Sequence, residues 1–258
     1  MISVTTAELN AWIVAFFFPL ARILSLLVVA PPFNNAGLTA RTRLMLGLAI
    51  SLTLVPTLNI PLAIDPASGA GLLILVEQML IGFALGFSIR LIFSAIDLAG
   101  NAVGMQMGLG FATAYDPQSA SQTGVVSEFL GILALLVFMA INGHLMVLAA
   151  LTSSFQVLPI GHLPGNGTWL NLANAGGTIF SFGLMLALPF FVVLLITNIA
   201  LGILGRVAPQ LNLMAIGFPI TIMLGFSALY ISLPYLSAPF LQMFEFGMQS
   251  ILGRFVLP

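Results

Sequence analysis

The sequence predicts an all-α membrane protein built from about six apolar helical segments, several of them Pro-kinked or broken hairpins. Three observations predict it. Of the 258 residues 60% are hydrophobic and 5% charged, where a soluble domain carries about 25% charged residues. Mean hydropathy over the whole chain is +1.17. Apolar runs reach or exceed the ~20 residues that cross a bilayer as a helix, at 9–31, 44–64, 70–106, 125–151, 178–204 and 213–241.

The first run follows Met1-Ile-Ser-Val-Thr-Thr-Ala-Glu8, which lacks the positive stretch of a secretory signal. It is also too long for a signal's apolar region, so it reads as a retained segment, with Arg22 midway along it. Pro31-Pro32-Phe-Asn-Asn-Ala-Gly37 closes it. The second run opens behind Arg41 and Arg43 and ends at Asp65-Pro-Ala-Ser-Gly69. The third is long enough to extend beyond one bilayer thickness. It carries Gly82, Gly86, Arg90, Ser94, Asp97, Asn101, Gly104 and Gly108 at steps of four and three, which keeps them toward one helical face. Such a stripe either lines a conduit and relays protons, or forms a packing seam. In the seam, glycines admit a neighbouring helix and the charges meet partners on other subunits. Arg22 and Glu77 are the other costly charges. They are expected to pair with each other or with a partner protein as a salt bridge.

Gly104 to Thr123 is a loop rich in Gly, Ser and Gln between two strongly apolar segments. Irregular backbone at membrane depth is buried in protein or lines an aqueous cavity, because its amides have no other partners. The loop therefore suggests a pathway or a gate. Met105 and Met107 are unbranched and adaptable. With Gln106, Gly108, Gly110, Phe111, Tyr115, Asp116, Pro117 and Gln118 they make either a deformable seal beside a plug or ordinary packing. The fourth run contains Asn142-Gly143-His144. A lone His with no positioned partner reads as hydrogen-bonded core, not as a base. The 152–177 stretch is polar but neutral. After residue 175 the composition shifts to two apolar runs around one polar turn, Gly205-Arg-Val-Ala-Pro-Gln-Leu-Asn212. Pro19, Pro56, Pro189, Pro219 and Pro234 lie inside or at the ends of runs, where each removes a backbone hydrogen bond and kinks or breaks a helix.

Several functions are disfavoured. The net charge of −1 offers no basic patch for nucleic acid. All six basic residues are Arg, which removes a Walker-type phosphate loop and Schiff-base chemistry. There is no Cys for a disulfide, a thiolate nucleophile or a Cys-based metal site. No HExxH, GxSxG or paired-acid motif supports an enzyme, so no catalysis, cofactor or metal is expected. If all six runs span, Arg41, Arg43 and Arg206 share one side. The positive-inside rule makes that side cytoplasmic, with both termini outside, while Arg254 argues the other way. An autonomous secondary transporter is the rival class: broken helices and midplane charges fit it, but the inverted repeat it calls for is missing.

Three stretches carry a resemblance. They are Gln106-Met-Gly-Leu-Gly-Phe-Ala…Asp116-Pro-Gln-Ser119, Asn142-Gly-His…Leu151-Thr-Ser-Ser-Phe155, and Gly205-Arg-Val-Ala-Pro-Gln-Leu-Asn-Leu-Met…Gly217-Phe-Pro219. Together with Asn34-Asn…Arg41-Thr-Arg43, their order and spacing resemble the FliR family of the bacterial flagellar type III export apparatus over essentially the whole chain. The injectisome counterpart is similar, and Asp116-Pro-Gln-Ser favours the flagellar side. The resemblance implies a pore-forming, non-enzymatic subunit of a hetero-oligomeric helical channel with FliP and FliQ. FlhB would stand at its cytoplasmic mouth, and unfolded flagellar proteins would be its cargo. It implies a FliP-like region at 1–175 containing the pore loop 106–122, and a FliQ-like helical hairpin at 176–258. The tip of that hairpin would bring Arg206, Pro209, Gln210 and Asn212 to a partner. The implied place is the inner membrane at the flagellar basal body, in contact with lipid and partly raised toward the periplasm.

Overall fold

A computed structural model of the chain describes residues 6–34, 37–58, 68–110, 124–162, 164–210 and 212–256. Regular structure among them is helical: α1 (Thr6–Val29), α2 (Ala40–Leu54) with a 3-10 turn at Val55–Thr57, α3 (Gly69–Gln106), α4 (Val125–Ala140), α5 (Gly143–Val157), α6 (Asn166–Asn174), α7 (Gly177–Val207) and α8 (Leu213–Val256).

The six apolar runs do not become six straight spans. Among the described residues, Gly69–Gln106, Gly167–Val207 and Ala215–Gln249 are long and apolar enough to cross a membrane. The described apolar part of the first run, Val14–Val29, is shorter. The second run gives the 15-residue α2 and then the turn holding Pro56. The fourth run is a pair of helices bent by 67°, which counts as a fourth span only as a broken one. Its break falls at Asn142, which takes φ 57. Asn tolerates this left-handed conformation better than most side chains. The Ile141 N–H still reaches the Val137 carbonyl (3.0 Å), and the Asn142 carbonyl accepts from Leu145 (2.9 Å). By contrast, α1, α7 and α8 run through Pro19, Pro189, Pro219, Pro234 and Pro239 as continuous helices.

At 1.5 Å per residue, α3 with 38 residues is about 57 Å long, and α8 with 44 is about 66 Å. Each exceeds the ~30 Å hydrocarbon core of a bilayer.

The chain forms two compact units. One comprises Met1–Leu91, Asn142–Ala175 and Phe244–Pro258; the other comprises Ile92–Ile141 and Gly176–Met243. In the first, Val14, Phe18 and Ile160 form a buried cluster against Ile74 and Leu75. In the second, Phe93 meets Phe138 edge-to-face at 5.7 Å.

Candidate functional site

The stripe on α3 divides into two edges. At 100° per residue it spreads over about 120° of the helix circumference, so its members do not share one environment. Gly82, Gly86 and Gly104 are buried, whereas Arg90 and Asp97 are exposed. A β-carbon at Gly82 would strike the Arg22 carbonyl of α1, and one at Gly86 would lie 3.0 Å from the Leu26 carbonyl. The two helices thus meet backbone to backbone, as small residues allow in apolar surroundings. Ser25 strengthens the contact by donating to the Met79 carbonyl at 2.6 Å. Further along, a β-carbon at Gly100 would collide with the Ser127 backbone of α4, and one at Gly183 of α7 would sit 2.8 Å from the Ala95 carbonyl. Neither glycine belongs to the stripe read from the sequence. Asp97 Oδ1 accepts from the Ser127 hydroxyl at 3.3 Å. Asn101 Oδ1 accepts from the Gly124 N–H at 3.2 Å. Gly104 faces Val126 at an ordinary 3.8 Å.

Arg22 is fully buried and is held by neutral groups, which corrects the expectation of a salt bridge. Its Nε donates to Gln78 Oε1 (2.8 Å), and Nη1 donates to the Ser154 carbonyl (3.0 Å) and hydroxyl (3.2 Å). Its Nη2 donates to the Leu158 carbonyl (2.9 Å). The guanidinium also lies 4.2 Å from the centroid of Phe155. Ser154 and Leu158 are at the C-terminal end of α5, where the helix dipole concentrates negative potential, and the Ser154 carbonyl accepts from the Leu158 N–H (2.9 Å) as well as from Arg22. The charge is therefore compensated by a helix end and an aromatic face, not by a carboxylate. Glu77, half-buried beside Gln78, keeps its Oε2 buried without a hydrogen bond.

The upstream root of the expected pore loop is fixed firmly. Helix α3 ends in a Schellman arrangement: Leu109 N–H donates to the Gly104 carbonyl (3.0 Å), and Gly108 N–H donates to that of Met105 (3.0 Å). Gly108 supplies the left-handed residue, at φ 86. A side chain there would also run into the Phe218 ring, 2.7 Å from the β-carbon position. The Met107 carbonyl accepts from Thr221 Oγ1 at 3.1 Å. The Met107 side chain is fully buried, filling the space a β-carbon at Gly225 would take. Met105 is 67% exposed, Gln106 is half-buried and Gly110 is exposed. The two methionines thus part: Met107 anchors α3 to α8, and Met105 stays available for contact. Phe111, Tyr115, Asp116, Pro117 and Gln118 lie outside the described residues.

At the turn between α7 and α8, Arg206, Pro209, Gln210 and Asn212 are all exposed. Asn212 has a local role as well: its Oδ1 accepts from Ala215 N–H at 3.3 Å, capping α8. His144 is half-buried with Nδ1 unbonded. Among the described residues no group of His, Cys, Asp or Glu is placed to hold a metal ion. Between α7 and α8 runs an apolar cavity of about 540 Å³, walled by Pro189, Phe190, Leu224, Tyr235 and Pro239. The Ser227 and Ser232 hydroxyls on its wall are spent on carbonyls of their own helix.

Long apolar helices packed backbone to backbone are in keeping with what sequence comparison finds. Residues 13–247 match the family described as bacterial export proteins, family 1. The flagellar biosynthetic protein FliR of Pectobacterium carotovorum subsp. carotovorum is 45% identical over 94% of this chain and 92% of its own length. FliR of Escherichia coli K12 is 41% identical over 94% and 92%, and FliR of Aquifex aeolicus is 28% identical over 97% and 98%. These relatives are named for biosynthesis and the family for export, not for a catalysed reaction. The chain belongs to the bacterial export proteins, family 1, alongside the flagellar FliR proteins.

Proposed function

We propose that this chain is a pore-forming subunit of the flagellar type III protein export gate in the bacterial inner membrane. In this reading the 106–122 loop closes the conduit and moves aside for an extended, unfolded flagellar protein. The observation that carries it is the root of the loop. Met107 and Gly108 are pinned to α8 by Thr221, Phe218 and Gly225, so the segment leaves the helix from a fixed point with Met105 exposed beside it. A loop that must block and clear a passage repeatedly needs such an immobile base. A passing chain brings no fixed side-chain chemistry, and a lining rich in Gly, Ser and Gln suits it better than a charged site.

FliP and FliQ subunits are the proposed companions in one complex, with FlhB on the cytoplasmic side. Residues 1–175 serve as the FliP-like part and 176–258 as the FliQ-like hairpin, with Arg206, Pro209 and Gln210 at a partner-facing tip. The lengths of α3 and α8 support an assembly that rises beyond the bilayer, and the periplasmic side is the proposed direction. Deleting 110–120 in the assembled complex should raise ion conductance across the membrane. Conductance equal to that of the intact complex would remove the plug.

A further inference from the structure

One face of α3 is exposed in a telling pattern. From Ile81 to Met105 the exposed positions of this helix are Phe83, Arg90, Asp97 and Met105. The first three recur at steps of seven, and Val76, 52% exposed, extends the line one step back. A seven-residue repeat drifts only ~20° per step on an α-helix and is the spacing with which a second helix lies alongside the first. Phe83 stacks on Phe87 at 5.7 Å and 13°, giving this face a flat apolar surface beside the charge.

Arg90 is the anomaly on that line. Among the described residues nothing accepts a hydrogen bond from it or pairs with it. Asp97 stands about 10.5 Å away along the axis and takes the Ser127 hydroxyl. Any 20-residue span drawn on α3 includes Glu77, Arg90 or Asp97. Arg90 lies about 24 Å from the nearer helix end, where an unpaired guanidinium facing lipid is expensive. A water-filled conduit is a poor match, since Val76 and Phe83 on the same line are exposed and apolar.

We infer that the Phe83–Arg90 face of α3 docks an apolar helix of another subunit, which sets a carboxylate against Arg90. This rests on the reading of the chain as one subunit of a hetero-oligomer. The neighbouring helix covers Val76, Phe83 and Phe87, and its Asp or Glu accepts from the guanidinium in a bidentate pair, the geometry for which Arg is suited.

Photoreactive benzoylphenylalanine at position 83, in membranes of cells carrying the complete assembly, tests this. The expected product is an adduct with a partner polypeptide, joined within two helical turns of an Asp or Glu in an apolar segment. Arg90→Glu should lower the adduct yield at least tenfold, and Arg90→Lys should retain most of it. Exchanging the partner's carboxylate for Arg should restore the R90E yield to within threefold of the original. An adduct with lipid alone, an adduct distant from any carboxylate, or a charge exchange that restores nothing overturns the docking face. If the companions still co-purify with this chain while position 83 meets only lipid, the docking face falls and the export-gate reading stands. A chain that purifies as a lone, self-sufficient transporter defeats the export-gate reading instead.

Discussion

Single residues decide how closely these helices approach. Gly82 faces a carbonyl of α1 and Gly100 the backbone of α4, so neither can gain a side chain without pushing a helix away. Gly82→Ala or Gly100→Ala should each destabilise by about 1–3 kcal/mol, the range for overpacking a close contact. Gly202, with nothing within 4 Å, provides the contrast: Gly202→Ala should be neutral or stabilise by up to about 1 kcal/mol through helix propensity. Thermal unfolding of the solubilised assembly reads both, and equal effects at the two kinds of site would contradict the packing account. Arg22 is the other decisive residue. Arg22→Met leaves Gln78 Oε1 and the Leu158 carbonyl without the guanidinium, at about 1–3 kcal/mol for each buried group, while the Ser154 carbonyl keeps its bond from the Leu158 N–H. Arg22→Lys should rescue little, because an ammonium lacks the planar fork that reaches Gln78, Ser154 and Leu158 together. Wild-type melting in R22K would refute this. The sequence marks Arg22 as costly but hides its solution. The acceptors are 56, 132 and 136 positions away, two of them are backbone carbonyls, and no residue type announces a carbonyl turned toward a distant side chain.

At the scale of elements, helix ends carry more meaning than helix interiors. Prolines were the visible breakers, yet a clear interruption in an apolar run comes from Asn142 in a left-handed conformation, a geometry that depends on position more than on residue type. The end of α3 was easier to read: Gly104 and Gly108 bracket it, and Gly is the usual residue one step past a helix C-terminus. What the sequence did not show is the receiving surface on α8, because Phe218, Thr221 and Gly225 follow Gly108 by more than a hundred positions and resemble ordinary helix interior. Gly108→Ala should cost about 1–2 kcal/mol for the left-handed backbone alone, with more from the Phe218 ring. Thr221→Val should cost about 1 kcal/mol through the lost bond to the Met107 carbonyl. If the clamp sets the position of the loop, both substitutions should also raise resting ion leak in the assembled complex. An unchanged leak in Gly108→Ala would separate the clamp from closure.

For the whole molecule, the class was plain from composition, while the count of straight spans was not. Twenty apolar residues satisfy a bilayer whether they form one helix or two joined at a bend. The most apolar windows of Gly167–Val207 and Ala215–Gln249 are only 28% and 17% buried within this chain, so most of their surface awaits lipid or companions. Residues 177–249 should therefore be cut by protease far faster in the isolated, detergent-held chain than in the assembled complex. Equal rates would mean that companions do not cover this surface. The Arg22 site also imposes an order on biosynthesis. Arg22 emerges from the ribosome 136 residues ahead of Leu158, a lag of roughly 7–27 s at about 5–20 residues per second. Gln78, 56 positions on, supplies one acceptor early, but the Nη1 and Nη2 donors have none of their own until Ser154 and Leu158 are made, so the first helix has to be sheltered during insertion until α5 arrives.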